Sequence, residues 1–212
     1  MEIYDISMTI KPGMKVYPKN PQPVVETKTT IEEHGFEASK ITLGSHTGSH
    51  IDAPRHFKRG GASVKDVPLE KIIGPCKVLD FTDIGSGGEI TAADLEGRGI
   101  EKGDRILLKT RNSYWKKNDF PEEFVSLSVS AAESFAKKQV SAVGIDELSV
   151  EALRPAGDYK VHDIMAEAEI INIEGLVLKD VPAGEYLLCC LPLKIDVEAS
   201  PVRAILISGV DF

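Results

Sequence analysis

The sequence predicts an α/β fold, and three observations carry that prediction. From residue 76 onward, segments with strand patterning alternate with segments that can form helices. Several strand segments are runs of aliphatic and β-branched residues rather than strict alternations, which is how strands read when a sheet is covered on both faces. No Ser/Gly/Pro-rich linker, low-complexity block or internal repeat interrupts the 212 residues, whose 42% hydrophobic and 27% charged content is ordinary for a globular chain; one domain over 1–212 is therefore expected.

In order along the chain, residues 17–23 hold three of the twelve prolines and predict an extended loop. Residues 38–43 read as a strand, and Lys58-Arg59-Gly60-Gly61 as a turn. Strands are predicted at 76–81 and 105–110, with a short helix at 91–96 between them that Thr91 can cap. Ser130 is the expected cap of a helix over 131–138, which leads into a strand at 140–145 ending on Asp146. A further helix is predicted over 161–169, followed by strands at 170–174, 185–191 and 203–208.

The formal charge of -8 argues against affinity built on neutralising phosphates, so no nucleic-acid partner is expected. The densest basic pairs, Lys116-Lys117 and Lys137-Lys138, read as solvated faces. The acidic start Met1-Glu2-Ile3-Tyr4-Asp5 lacks the features of a signal peptide, and the longest nearly apolar run, 186–193, is short of the about 20 residues that span a bilayer. A cytoplasmic location with no membrane partner is the expectation. Cys76, Cys189 and Cys190 are too few and too apolar in context for a disulfide framework, and read as buried thiols.

The chemistry concentrates in His46-Thr47-Gly48-Ser49-His50-Ile51-Asp52-Ala53-Pro54-Arg55-His56, which holds three of the chain's five histidines. Imidazole is both the commonest metal ligand and the usual acid/base group near neutral pH. Gly48 and Pro54 disfavour a helix, and a period of two would put His46, Gly48, His50 and Asp52 on one side, with an empty place at Gly48 between the two rings. A straight strand still fails, because four residues separate the His46 and His50 backbones by about 13 Å while ligand bonds are about 2 Å. The chain must curl, and Gly48 permits the bend.

Beyond Pro54, His56 can be a third ligand or a proton carrier. His34, between Glu32-Glu33 and a glycine, reads as solvated. His162 is the one remaining histidine, and Glu174, twelve residues further on, places a carboxylate at the end of an apolar strand, where it is costly unless paired or metal-bound.

These residues resemble the cyclase-like metal-dependent hydrolases, the family that includes bacterial kynurenine formamidase and isatin hydrolase. The shared motif is H-x-G-[ST]-H-x-D-x-P-x-H, and the likeness extends through Gly144-Ile145-Asp146, the spacing of His162 and Glu174, Leu191-Pro192-Leu193-Lys194 and Ser200-Pro201-Val202-Arg203-Ala204. The resemblance implies a swivelling β/β/α fold with a mixed sheet. It also implies a centre of two divalent metal ions, zinc ahead of manganese, held by His46, His50, Asp52, His162 and Glu174, with Asp52 and Glu174 bridging and His56 as the proton donor and acceptor. Tyr17-Pro18-Lys19-Asn20 stands where the family carries a Trp-Pro-Gly-Asp-like stretch; the Gly-Asp pair is missing, and Tyr17 is the implied substrate-facing aromatic.

The function so implied is hydrolysis of the C-N bond of a small aromatic amide, of the arylformamide or N-formylkynurenine kind used in tryptophan catabolism, by a homo-oligomer, dimer or tetramer. A cyclic amide of the isatin kind is the alternative substrate. Two further classes stay open on the ligand types alone: a mononuclear iron oxygenase with a two-histidine, one-carboxylate triad, and a non-catalytic metal-binding protein.

Overall fold

A computed structural model describes residues 1–115, 119–153 and 158–209. The Lys116-Lys117 pair lies outside the described residues. The expected mixed α/β architecture is present, but its sheet closes on itself. The strands are β1 (Glu2–Asp5), β2 (Val24–Thr29), β3 (Ala38–Thr42), β4 (His50–Asp52), β5 (Ile73–Asp80), β6 (Glu89–Ile90), β7 (Arg105–Lys109), β8 (Ser126–Leu127), β9 (Ala142–Ile145), β10 (Ile171–Glu174), β11 (Gly184–Pro192) and β12 (Ala199–Ser208). The helices are α1 (Ile31–His34), α2 (Val129–Lys138) and α3 (Lys160–Glu167).

The main sheet runs β12-β11-β5-β7-β9-β10-β4, and β4 pairs back onto β12, making a seven-stranded barrel. The ten-residue β12 allows this closure: Ala199, Ser200 and Pro201 pair with β4, while the far end of the same strand pairs with β1. The run β5-β7-β9-β10 is parallel and the other pairings of this sheet are antiparallel. Closure was not expected from the sequence, because it rests on three residue pairs between β4 and one end of β12, a long-range register that no local pattern displays.

The apolar runs are explained by two cores. Leu107 and Ala142 point into the barrel with Ile51, Ile173, Leu188 and Leu206. Their neighbours Ile106, Leu108, Val143 and Ile145 point outward, against Phe135 of α2 and Val161 and Met165 of α3. Ile106, Leu107 and Leu108 are each fully buried, a gain of about 1.5–3 kcal/mol per side chain, which makes β7 a central element of both cores. Along β11, by contrast, burial alternates: Tyr186, Leu188 and Cys190 are inside, while Leu187 and Cys189 are half-buried. Cys76 and Cys190 are therefore the buried thiols, burial pushing Cys76 up to about 12 and raising Cys190 as well, whereas Cys189 corrects the expectation by facing outward.

Helix α2 is capped by Ser128, whose Oγ accepts from the Ala131 N–H at 3.2 Å, and not by Ser130, which lies in the first turn and accepts from the Ala92 N–H. The helix expected at 91–96 shrinks to a single turn at Ala93–Leu95, because the Thr91 N–H and hydroxyl both donate to Asp94 Oδ2. Lys138, expected to be solvated, is half-buried and donates to the Ile100 carbonyl, whereas Lys137 is exposed. No helix among the described residues is long and apolar enough to cross a membrane.

Candidate metal centre

Sheet register builds the site. Strand β4 alternates as predicted, so Ile51 enters the barrel core while His50 and Asp52 point to the outer face. Antiparallel pairing with β10 places Glu174 opposite His50 and Asn172 opposite Asp52, putting four polar side chains on one patch of sheet. Helix α3 covers that patch, with His162 among its buried residues. His46 is not on the strand. It reaches the patch from the preceding turn because Gly48 takes φ +67°, the left-handed conformation that glycine adopts without penalty.

The bend at Gly48 is the predicted one, but the reason no side chain fits there is different. A Cβ at Gly48 would stand 3.3 Å from both Ile10 and Met14, so the N-terminal segment fills the place expected between the rings. Across from it, Gly175 also has a positive φ, and a Cβ there would come within 2.7 Å of the Gly48 carbonyl. The two turns are tied together by the Ser49 hydroxyl, which donates to the Gly175 carbonyl at 2.6 Å and accepts from the Met8 N–H at 2.8 Å.

The resulting cluster is dense in acceptors. His50 Nδ1–H donates to the Gly48 carbonyl at 2.9 Å, which leaves Nε2 facing Glu174 Oε2 at 3.3 Å and Asp52 Oδ1 at 3.6 Å. His46 Nδ1 lies 3.0 Å from Asp52 Oδ1, and His162 Nε2 lies 3.3 Å from Glu174 Oε1. His56 ends the 3-10 turn Pro54–His56, and its ring lies tilted at 44° to that of His46 with the centroids 4.4 Å apart. Among the described residues, two sets of potential ligand atoms each fall within 4.8 Å: His46, Asp52 and His56, and His50, Asp52 and Glu174. Asp52 belongs to both.

Among the described residues, His50 Nε2 and both oxygens of Asp52 are buried without a hydrogen bond of proper geometry. Buried polar atoms are rarely left so, and a group of lone pairs converging on one point fits a cation with nitrogen and oxygen ligands. The electrostatics agree. Burial drives Glu174 and Asp52 upward, but histidine neighbours outweigh it and hold both carboxylates below their usual range: His162 and His50 for Glu174, His46, His50 and His56 for Asp52. Burial pulls His162 down, yet Glu151 and Glu174 lift it to about 10; His50 is raised by Glu174 and Asp52 against the same opposition. The two carboxylates are thus held ionised and draw positive charge, here on His50 and His162. His56 differs: burial, with His46 and His162 adding to it, lowers it below the ordinary histidine value.

All seven candidates, His46, His50, Asp52, His56, His162, Glu174 and Tyr17, line one cavity of about 260 Å³. His34 stays out, exposed on α1. The sequence reading missed Phe57 and Tyr159, which form an aromatic wall beside the cluster: Phe57 stacks on His162 at 4.5 Å and meets Tyr159 at 5.5 Å. It also missed Glu198, which lies 3.5 Å from His46 Nε2, and Glu151, which lies 2.8 Å from His162 Nδ1. Neither glutamate belongs to a motif quoted above; only the folded chain brings them to the histidines.

A barrel that carries histidines and carboxylates converging on a shared aspartate beside an aromatic pocket has the makings of a metal-dependent hydrolase, and the chain belongs to the family described as Putative cyclase, whose sequence model matches residues 4–152. Over the full length of both proteins it is 35% identical to kynurenine formamidase from Salinibacter ruber (strain DSM 13855 / M31). Among solved structures it is similar to a potential metal-dependent hydrolase with cyclase activity, at 39% identity and a TM-score of 0.86 over 99% of each chain. Isatin hydrolase A from Labrenzia aggregata shares the fold, with a TM-score of 0.87 over 98% of this chain and 94% of that one at 21% identity.

Proposed function

We propose that this protein is a metal-dependent hydrolase that cleaves the C-N bond of a small aryl formamide such as N-formylkynurenine. The observation that carries the reading is Asp52, buried, without a hydrogen bond of proper geometry and shared by two ligand sets, in a pocket walled by Phe57, Tyr159 and Tyr17. His46, His50, His162, Asp52 and Glu174 would hold two divalent cations, with zinc favoured over manganese by the nitrogen-rich donor set. Such ions, when bound, supply Lewis acidity that activates water and polarises a carbonyl.

The chain's own part is positioning and proton movement. Tyr17 packs edge-on against Phe120 at 5.2 Å, so its ring is braced where it can face the aryl group of the substrate. His56, with its lowered affinity for protons, is neutral at pH 7 and can take a proton at its free imidazole nitrogen as water adds to the formyl carbon. Returning that proton to the departing aryl nitrogen completes hydrolysis to an aryl amine and formate. A second role for His56, as a ligand beside His46, is supported by its place in the first ligand set.

The full-length likeness to kynurenine formamidase favours the formamide over a ring-opening reaction. We also take the working unit to be a homo-oligomer. The β2–β3 hairpin pairs only with itself and leaves Val24, Val25 and Ile41 exposed, although a lone hairpin is at best marginally stable in water.

The test is a panel of N-formylkynurenine, formanilide, isatin and a simple lactam with one preparation. The expected result is highest kcat/KM for the formamides, lost on chelation and restored by zinc or manganese. Preference for isatin, or turnover that survives complete chelation, would contradict the proposal.

A further inference from the structure

The segment that follows β9 carries a carboxylate with no part in the ligand sets. Glu151 is 2% exposed, and its Oε2 lies 2.8 Å from His162 Nδ1. Its two oxygens also accept from the backbone N–H groups of Val161 at 3.3 Å and His162 at 3.4 Å, at the start of α3. The neighbouring Val150 N–H donates to Glu174 Oε1 at 2.8 Å, the oxygen that faces His162 Nε2. One short segment therefore grips both His162, through a side chain, and Glu174, through the backbone. A carboxylate with several donors around it accepts, so His162 Nδ1 carries a proton and Nε2 is the nitrogen turned into the site.

We propose that Glu151 is a positioning residue for the metal centre: it fixes the ring orientation of His162 through Nδ1 and strengthens Nε2 as a ligand for a divalent cation shared with Glu174. The inference rests on the metal-centre reading above. Carboxylates that hold a ligating imidazole by its other nitrogen typically contribute 10–100-fold, about one to two orders of magnitude, to metal affinity. A purely structural role is the competing account, since the N-cap residue of α3, Tyr159, makes no side-chain cap and Glu151 supplies the acceptors instead. A cap alone would change stability and leave metal affinity untouched.

Glu151→Gln separates the two, because it keeps a carbonyl acceptor and loses the charge; Glu151→Ala removes both. The measurements are thermal melting of the metal-free proteins, zinc titration against a chromophoric chelator, and imidazole N–H spectra of the metal-free proteins. The expected result is that Glu151→Gln melts close to the wild type yet binds one of two zinc equivalents roughly 10–100-fold more weakly. A slowly exchanging His162 Nδ1–H resonance is expected in the wild type and lost in Glu151→Ala. Wild-type affinity for both equivalents in both variants, or absence of that resonance from the wild type, would overturn the inference. A wild type that shows the resonance but binds no zinc would instead overturn the metal-centre reading, and the affinity role of Glu151 with it.

Discussion

Asp52→Asn is expected to lose the two metal ions proposed for the site while the chain still folds. Asp52 is 4% exposed, has no hydrogen bond of proper geometry to either oxygen, and is the one residue common to both ligand sets. Asparagine keeps its shape but replaces an anionic oxygen by an uncharged amide nitrogen, which has no lone pair to offer a cation. The fold does not depend on this carboxylate, because β4 is held by backbone pairing on both sides and by Ile51 in the barrel core. Elemental analysis should find fewer than one ion per chain after desalting, and formamide turnover should fall by more than about 100-fold, beyond what outer-shell changes cause. Two ions retained in Asp52→Asn would remove the shared carboxylate from the account.

His56→Ala separates proton carrier from ligand. As a carrier, His56 can be removed with both ions still bound and kcat reduced by about 10²–10⁴, the range of general acid–base contributions. The wild-type rate should also decline as pH falls through the lowered His56 value, where the ring becomes protonated and can no longer accept; the variant should lack that limb. As a ligand, His56 would take one ion with it, and metal content would fall together with the rate. Unchanged turnover with unchanged metal content would exclude both roles.

What could be read in the sequence follows from how locally each feature is encoded. His46, His50, Asp52 and His56 crowd into eleven residues, so ligand-bond lengths alone demanded a bend, and Gly48 was the residue able to make it. His162 was visible as the one histidine remaining once the others were assigned, and Glu174 because a carboxylate ending an apolar strand is costly unless paired or metal-bound. Their meeting with His50 was not visible, since Glu174 arrives through the antiparallel pairing of β10 with β4 and His162 through α3 packing over that patch. The apolar strands β7 and β9 were legible for the same reason they are stable, burial on both faces. The barrel was not, because closure rests on three residue pairs between β4 and one end of β12. Glu151 and Glu198 lie at the far end of this scale: neither sits on a strand or helix pattern that points to a histidine, and Glu198 meets His46 from the other end of the chain.

The central claim is a pair of ions joined by Asp52, and anomalous diffraction at the zinc edge from zinc-loaded crystals tests it most directly. The account predicts two peaks per chain, each about 2.0–2.2 Å from an oxygen of Asp52, one beside His46 and the other beside His50 and Glu174. A single peak, or peaks away from Asp52, would contradict it.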